Sequence, residues 1–224
     1  MYEHLPIYAG DPILSLHEAF LADQRPNKVS LSIGLYFDEQ GRLPVLDSVR
    51  KADSKLREQE RPSGYLPIEG APEYRAAVQR LVFGAESAAV SAGRIATIQG
   101  VGGSGAIRIG ADFIKAFMPG SNVWISEPTW DNHESLMQGA GLKVARYPYY
   151  DAASNGLRYE EMLAFFGTLP AASVVLMQPC CHNPTGIDLT HDQWAGVIKV
   201  MKERALVPFL DMAYQGFGDG IDED

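Results

Sequence analysis

The sequence predicts an α/β fold, a sheet flanked by helices, and two observations carry that prediction. Apolar segments of strand length recur at 94–99, 122–126, 143–150, 173–178 and 207–210. Between most of them lie stretches whose apolar residues repeat at the helical period instead of alternating. Strands separated by helices are the pattern of a sheet covered by helices on its faces.

Taken in order, the first forty-odd residues read as irregular, because Asp11-Pro12, Arg25-Pro26 and Gly41 break up short segments such as 29–36. Residues 1–43 are expected to form an N-terminal arm and the first part of a small domain, and 44–224 a large domain. Ser48-Val-Arg-Lys51 falls in an amphipathic helical stretch. Pro72 suits a helix start and Gly84 its stop, with apolar positions recurring toward Leu81 and Phe83. Beyond the 94–99 segment, Ile107, Ala111, Ile114 and Phe117 form one face of a further helix. Thr190-His-Asp-Gln193 is a capping box that opens another, with Leu189 and Trp194 placed to staple it. The acidic end, 219–224, reads as open chain, so the large domain is expected to be incomplete there. No internal repeat or low-complexity tract interrupts the pattern.

Composition excludes several classes. A formal charge of -9 with no Lys or Arg cluster argues against a nucleic-acid partner, whose phosphates need concentrated positive charge. No apolar run approaches the ~18 residues of a membrane span. Residues 1–10 have no basic stretch followed by a long apolar one, which points to the cytoplasm. The two cysteines, Cys180 and Cys181, are adjacent, which is poor placement for an intrachain disulfide. With His182 they lack a second ligand pair at zinc-like spacing, so the thiols are expected to pack and not to bind metal.

Two regions carry chemistry. Gly100-Val-Gly-Gly-Ser-Gly105 joins a predicted strand to a helix and matches G-x-G-x-x-G. It admits three readings: a dinucleotide site with Glu127 on the ribose, another phosphate site at a helix N-terminus, or a structural turn. Downstream, two strand ends present dense polar sets, Cys-Cys-His-Asn183-Pro-Thr-Gly186 and Asp211-Met-Ala-Tyr214-Gln-Gly216. Ligands of α/β sheets collect at the carboxyl ends of strands, so Asn183, Asp211 and Tyr214 are expected to converge with the glycine loop on one crevice, suited to a phosphate-bearing aromatic ring.

At these residues the chain resembles a known family, the fold-type I pyridoxal-phosphate (PLP) enzymes, and within it the class I aspartate and aromatic amino-acid aminotransferases. The resemblance runs through Asp11-Pro-Ile-Leu14, Ser32-Ile-Gly-Leu-Tyr36, Tyr65-Leu-Pro-Ile-Glu-Gly70, Gly102-Gly-Ser-Gly-Ala106, Pro128-Thr-Trp-Asp-Asn-His133, Cys180 to Gly186 and Asp211-Met-Ala-Tyr-Gln-Gly-Phe217. It implies a PLP-dependent transferase fold of the aspartate aminotransferase type, with a mixed, mostly parallel sheet, and makes 44–224 the PLP-binding domain.

It also implies residue roles. Gly103 and Ser104 would hold the cofactor phosphate, Trp130 would stack on the pyridine ring, and Tyr65 would reach the phosphate of a neighbouring subunit in a homodimer. Asp211 would pair with the pyridine nitrogen, with His133 behind it. Asn183 and Tyr214 would donate to the ring's phenolic oxygen, while Gly34, Trp130 and Asn183 would seat the substrate carboxylate. Two positions depart from the family pattern: Gly102-Gly103-Ser104, where relatives carry Gly or Ser, Gly, then Thr, and Gln178, where many carry His.

The family's Schiff-base lysine is expected after Asp224, together with the arginines that clamp substrate carboxylates. None of Lys28, Lys51, Lys55, Lys115, Lys143, Lys199 and Lys202 has the family's Ser-x-Ser-Lys context. Ser48-x-x-Lys51 imitates a nucleophile motif without its companions and reads as a solvated face. The 33–36 and 65–69 segments are more similar to the aromatic amino-acid enzymes than to strict aspartate enzymes, which makes tyrosine or phenylalanine the expected donor and 2-oxoglutarate the acceptor. The alternatives are an aspartate aminotransferase, an NAD(P)-dependent oxidoreductase using Gly100 to Gly105, and a non-catalytic PLP-binding chain.

Overall fold

The computed structural model describes residues 3–4, 12–30, 33–59 and 64–224. Asp11 and Ser32 of the motifs above lie outside the described residues, as do residue 31 and most of residues 1–10. The chain divides into two compact units, Met1–Gly64 and Tyr65–Asp224.

In the first unit, helices α1 (Pro12–Ala22) and α2 (Asp47–Glu58) flank an irregular stretch that contains Gly34. Helix α1 corrects the expectation of an irregular start. Pro12 starts α1 instead of breaking the chain, because Pro is favoured at the first helical position, where its missing N–H would be unpaired anyway. The Lys28 ammonium closes the far end by donating to the carbonyls of Phe20 and Asp23, at 2.7 and 2.6 Å. Helix α2 carries Ser48 and Lys51, buries no residue, and is laced by Arg50–Asp47 and Arg57–Asp53 ion pairs at 3.2 and 3.0 Å, the solvated face expected of it.

The second unit runs α3 (Pro72–Phe83), α4 (Ala88–Ser91), α5 (Gly102–Phe117), β1 (Asn122–Glu127), α6 (Asp131–Gly139), β2 (Lys143–Pro148), β3 (Tyr150–Asp151), β4 (Gly156–Leu157), α7 (Tyr159–Thr168), β5 (Val174–Met177), α8 (His191–Glu203) and β6 (Val207–Leu210). Four strands form one parallel sheet in the order β2-β1-β5-β6, and β3 and β4 make a small antiparallel ribbon.

Strand β5 shows why the sheet needs two covering layers. Its four residues are all buried, with alternate side chains going to opposite faces. Val174 and Leu176 pack with Ile107, Ala111 and Ile114 of α5 and Met137 of α6. Val175 and Met177 pack with Met162 and Phe166 of α7 and Val197 and Met201 of α8. Helix α8 starts on the expected capping box, Thr190 Oγ1 accepting from Gln193 N–H at 3.3 Å and Gln193 Oε1 from Thr190 N–H at 2.9 Å, with Leu189 and Trp194 in one cluster beside it.

Three sequence expectations need correction. The 94–99 segment keeps the alternating burial of a strand but belongs to no sheet among the described residues. Its backbone is held instead by the Gln79 side chain, which donates to Ile95 O at 3.1 Å, and by Glu69 O, which accepts from Gln99 N–H at 2.9 Å. The 143–150 segment is two strands, β2 and the start of the β3–β4 ribbon. Phe117 is 72% exposed and packs its ring at a tilt against Phe113, not on the core. At about 100° per residue it sits roughly 80° off the Ile107 direction, and Met118, about 20° off, takes the core position.

The acidic end is also folded and not an open tail. Asp224 accepts from the amides of Gly216, Gly218, Asp219 and Gly220 at 2.7 to 3.3 Å. Burial works against its charge, but those amides outweigh it and hold the carboxyl down at about 2.

Candidate active site

Because the four strands are parallel, Glu127, Met177 and Leu210 end on one edge of the sheet, and the segments after them share that edge. Helix α5 reaches it from the other direction. Its last residue, Phe117, leads through 118–121 into the start of β1, so its first turn stands at the carboxyl edge, about 24 Å away along a 16-residue helix. Gly110 fixes the helix on β6: a Cβ there would stand 2.5 Å from the Phe209 ring. Asp211 follows Phe209 by two residues, so the start of α5 and Asp211 both lie on the carboxyl-edge side of this contact.

The glycine loop has distinct local needs. A Cβ at Gly100 would meet the Ala106 backbone at 3.0 Å, and Gly102 adopts φ +63. Gly102 and Gly103 have nothing within 4 Å of a Cβ position, and no side chain caps the helix. The amides of Gly102, Gly103 and Ser104 precede the first helical bond, from Gly105 N–H to Val101 O at 3.2 Å. The Tyr65-to-Gly70 segment lies alongside, since Gln99 bonds Glu69 O through its N–H and Ala71 N–H through its side-chain oxygen. Tyr65 itself is wholly exposed.

At the end of β1, the backbone turns through Pro128 and Thr129 into α6, with Trp130 as its N-cap. His133, 0% exposed, lies edge-on to the Trp130 ring at 5.4 Å. Its Nε2 is 2.7 Å from Asp211 Oδ2 and its Nδ1 is 2.7 Å from Thr129 Oγ1. An ionised carboxylate only accepts, so Nε2 carries a proton toward Asp211 and Nδ1 of the neutral ring accepts the Thr129 hydroxyl. Asp211 N–H continues the β6 ladder by donating to Met177 O at 2.9 Å. Asp211 Oδ1 has no hydrogen-bond partner among the described residues. Tyr214 is half-buried one turn later, its carbonyl accepting from Phe217 N–H at 3.0 Å.

The loop between β5 and α8 is bonded throughout. Gln178 clasps the main chain of Asn183, Nε2 donating to its carbonyl at 3.0 Å and Oε1 accepting its N–H at 2.9 Å. His182 is buried, stacked on Tyr149 at 4.0 Å, with Nε2 2.9 Å from Ser126 Oγ and Nδ1 2.8 Å from Thr185 Oγ1. Asp188 accepts from the amides of Cys181 and His182 at 2.6 and 2.8 Å. Burial, the largest cause, pushes the His182 imidazole down to about 4. Burial and the nearby Asp224 charge push the Cys180 thiol up to about 12, which makes it an inert packing group.

Asp211, His133, Trp130, Asn183 and Tyr214 therefore share the carboxyl edge with the start of α5, where Gly103 and Ser104 sit. Gly34 belongs to the first unit. Glu127 is exposed and paired with Arg146 at 2.9 Å, and the segment before the glycine loop is outside the sheet, so the dinucleotide alternative has no geometric support. A cavity of about 490 Å³ lies elsewhere, between the start of α8 and the 218–224 turn, and none of the predicted site residues lines it. Sequence reasoning missed the bonding roles of Thr129, Gln178, His182 and Asp188. Only Gln178 carried a signal, a polar residue directly after the fully apolar β5, where the chain leaves the sheet.

The open helix start, the carboxylate with its buried histidine and the polar loop gather on one edge of a parallel-sheet α/β domain, the edge at which such domains collect ligands. The chain belongs to the class I and II aminotransferase family, whose model matches residues 26–223. It is 54% identical over its whole length to the tyrosine aminotransferase of Klebsiella pneumoniae, covering 57% of that protein. It is 52% identical over 96% of its length to an aspartate aminotransferase of Pseudomonas aeruginosa, covering 54% of it. An aromatic-amino-acid aminotransferase of Burkholderia pseudomallei, solved covalently bound to pyridoxal phosphate, superposes with a TM-score of 0.95 at 48% identity, over 99% of this chain and 56% of that one. The chain thus spans about 57% of the length of the tyrosine aminotransferase it matches.

Proposed function

We propose that this chain supplies the pyridoxal-phosphate-binding part of an aminotransferase that moves amino groups between an aromatic L-amino acid, with dicarboxylic acids as a second class, and 2-oxoglutarate. The observation that carries the reading is Asp211: one carboxylate oxygen is held by buried His133 at 2.7 Å, and the other is without a partner among the described residues. The donor set suits the cofactor. Open first-turn amides at Gly103 and Ser104 match a phosphate, Trp130 offers an aromatic face, and Asp211 matches a protonated ring nitrogen.

Bound there, pyridoxal phosphate would supply an electron-withdrawing ring for chemistry at the substrate's α-carbon. Asp211 keeps the ring nitrogen protonated, and His133 orients Asp211 by donating Nε2–H to it. The Ser104 hydroxyl and the amides of Gly103 and Ser104 bind the phosphate. Asn183 and Tyr214 donate to the phenolic oxygen, and Asn183 with Trp130 and Gly34 seats the substrate carboxylate. Tyr65, fully exposed here, reaches the phosphate of a second subunit in a homodimer.

The four lysines of the second unit do not meet this edge. Lys115 and Lys143 lie at the end of α5 and the start of β2, and Lys199 and Lys202 in the last turns of α8, all toward the opposite edge. We assign the Schiff-base lysine and the carboxylate-clamping arginines to the remainder of the protein, since the chain spans 57% of the tyrosine aminotransferase it matches. We place its work in the cytoplasm, with which the two free cysteines agree. Aspartate as the preferred donor is the second reading, supported by the 52% identity to the Pseudomonas aeruginosa enzyme.

The test is an absorption spectrum of the full natural protein with pyridoxal phosphate. Tyrosine is expected to change the cofactor band and 2-oxoglutarate to restore it. A band that responds to aspartate but not to tyrosine would select the second reading, and no response to any amino acid would remove the enzyme.

A further inference from the structure

We infer that Gln178 is a positioning residue for Asn183, so that the aim of the Asn183 side chain depends on a two-bond amide clasp made from behind it. The inference rests on the functional reading above. Gln178 follows the last residue of β5 and is 8% exposed, so its amide has little water to bond with. It meets both main-chain groups of one residue, donating Nε2–H to Asn183 O at 3.0 Å and accepting Asn183 N–H on Oε1 at 2.9 Å. Turning the amide over would set N–H against N–H and oxygen against oxygen, so only one orientation satisfies the pair.

No other group among the described residues bonds the Asn183 main chain. Asn183 lies outside every helix and strand, so no ladder fixes its backbone either. Its neighbours are tied separately: His182 to Ser126 and Thr185, and the Cys181 and His182 amides to Asp188. These bonds and the Gly186 N–H to His182 O bond at 2.7 Å hold the loop and one end of the turn, while Gln178 alone bonds both the N–H and the C=O of Asn183 itself. A side chain that donates to a cofactor oxygen and to a substrate carboxylate needs its backbone fixed within a fraction of an ångström. The clasp supplies that from a position that touches neither ligand.

The test uses the full natural protein loaded with pyridoxal phosphate and two variants. Gln178→Met keeps the length and removes both bonds, and Gln178→His keeps a ring that can make one. A donor at the phenolic oxygen favours the state of greater negative charge, so loosening Asn183 should raise the pH at which the bound cofactor's absorption titrates. In Gln178→Met that midpoint is expected to rise, and KM for the amino acid to increase roughly tenfold or more, a larger change than in kcat. Gln178→His is expected to fall between the variant and wild type in both. A merely structural role would lower melting temperature without moving the titration midpoint. Unchanged midpoint and KM in folded Gln178→Met, or in folded Gln178→His if the Met variant does not fold, overturn the inference. A wild-type protein whose pyridoxal phosphate band ignores tyrosine and aspartate overturns the functional reading itself, and the positioning role with it.

Discussion

At the start of α5, Gly102 and Gly103 have nothing within 4 Å of a Cβ position and no side chain caps the helix. Across the same edge of the sheet, between β5 and α8, the side chains of Gln178, His182, Thr185 and Asp188 are all bonded into their own loop or to the strand beside it. One loop presents bare backbone to a ligand, and the other presents a side chain, Asn183. Backbone amides at a helix start are aimed by the helix itself, so the first loop needs only small residues and the right φ. A side chain on an irregular loop has no such guide, and a bonded scaffold must take its place.

The scaffold's largest expected signature is in its pH dependence. The His182 imidazole sits near 4 in the folded protein through burial, against about 6.5 when unfolded. Between those values the unfolded chain binds the extra proton, so stability is fully present above about 6.5 and is lost as pH falls toward 4. Over that window the loss is about 3 kcal/mol. Denaturant unfolding at a series of pH values should show wild type losing that much more than His182→Gln, whose side chain cannot titrate. Parallel curves would mean that His182 charges freely and that the loop is looser than its bonds imply.

The bare loop depends on how α5 is seated further along. A Cβ at Gly110 would stand 2.5 and 2.7 Å from Phe209 Cε2 and Cζ, so Gly110→Ala must displace the ring or lift the helix from β6. Overpacking of this kind costs about 1–3 kcal/mol. Because Phe209 is two residues before Asp211, the same change should weaken pyridoxal phosphate retention by the full protein. Melting temperature and cofactor affinity should fall together, and a fall in stability with unchanged affinity would separate the helix seat from the site.

The contrast also explains what the sequence made legible. The glycine loop, the helix stop at Gly84 and the capping box at Thr190 announce themselves because each backbone demand is met by a few residue types at fixed offsets. The core face of α5 was readable as far as Ile114, and failed at Phe117 only because the helical period had drifted past it. The clasp of Gln178 and the bridge of His182 were not legible as contacts. Both join residues through a loop whose path no local pattern specifies, and a glutamine behind a strand has many partners open to it until the chain is folded. The 94–99 segment failed for a related reason, since alternation shows a half-buried extended chain but does not name a neighbouring strand.

The smallest effect on stability gives the sharpest separation between the two loops. Gly103 has no positive φ and open space where a Cβ would go, in the first turn of a 16-residue helix. Gly103→Ala should therefore be neutral or stabilising by up to about 1 kcal/mol, because alanine loses less conformational freedom on folding. The same methyl would stand in the space proposed for the cofactor phosphate, so pyridoxal phosphate affinity should drop while melting temperature holds or rises. Titrating the cofactor into the apo form of the full protein measures the first quantity, and thermal unfolding of that apo form measures the second. If affinity is unchanged, the phosphate does not approach Gly103, and the open start of α5 is a turn shaped by chain geometry alone. If affinity falls with stability intact, the emptiness beside the glycine is functional, and bare backbone has done for the phosphate what four bonded side chains do for Asn183.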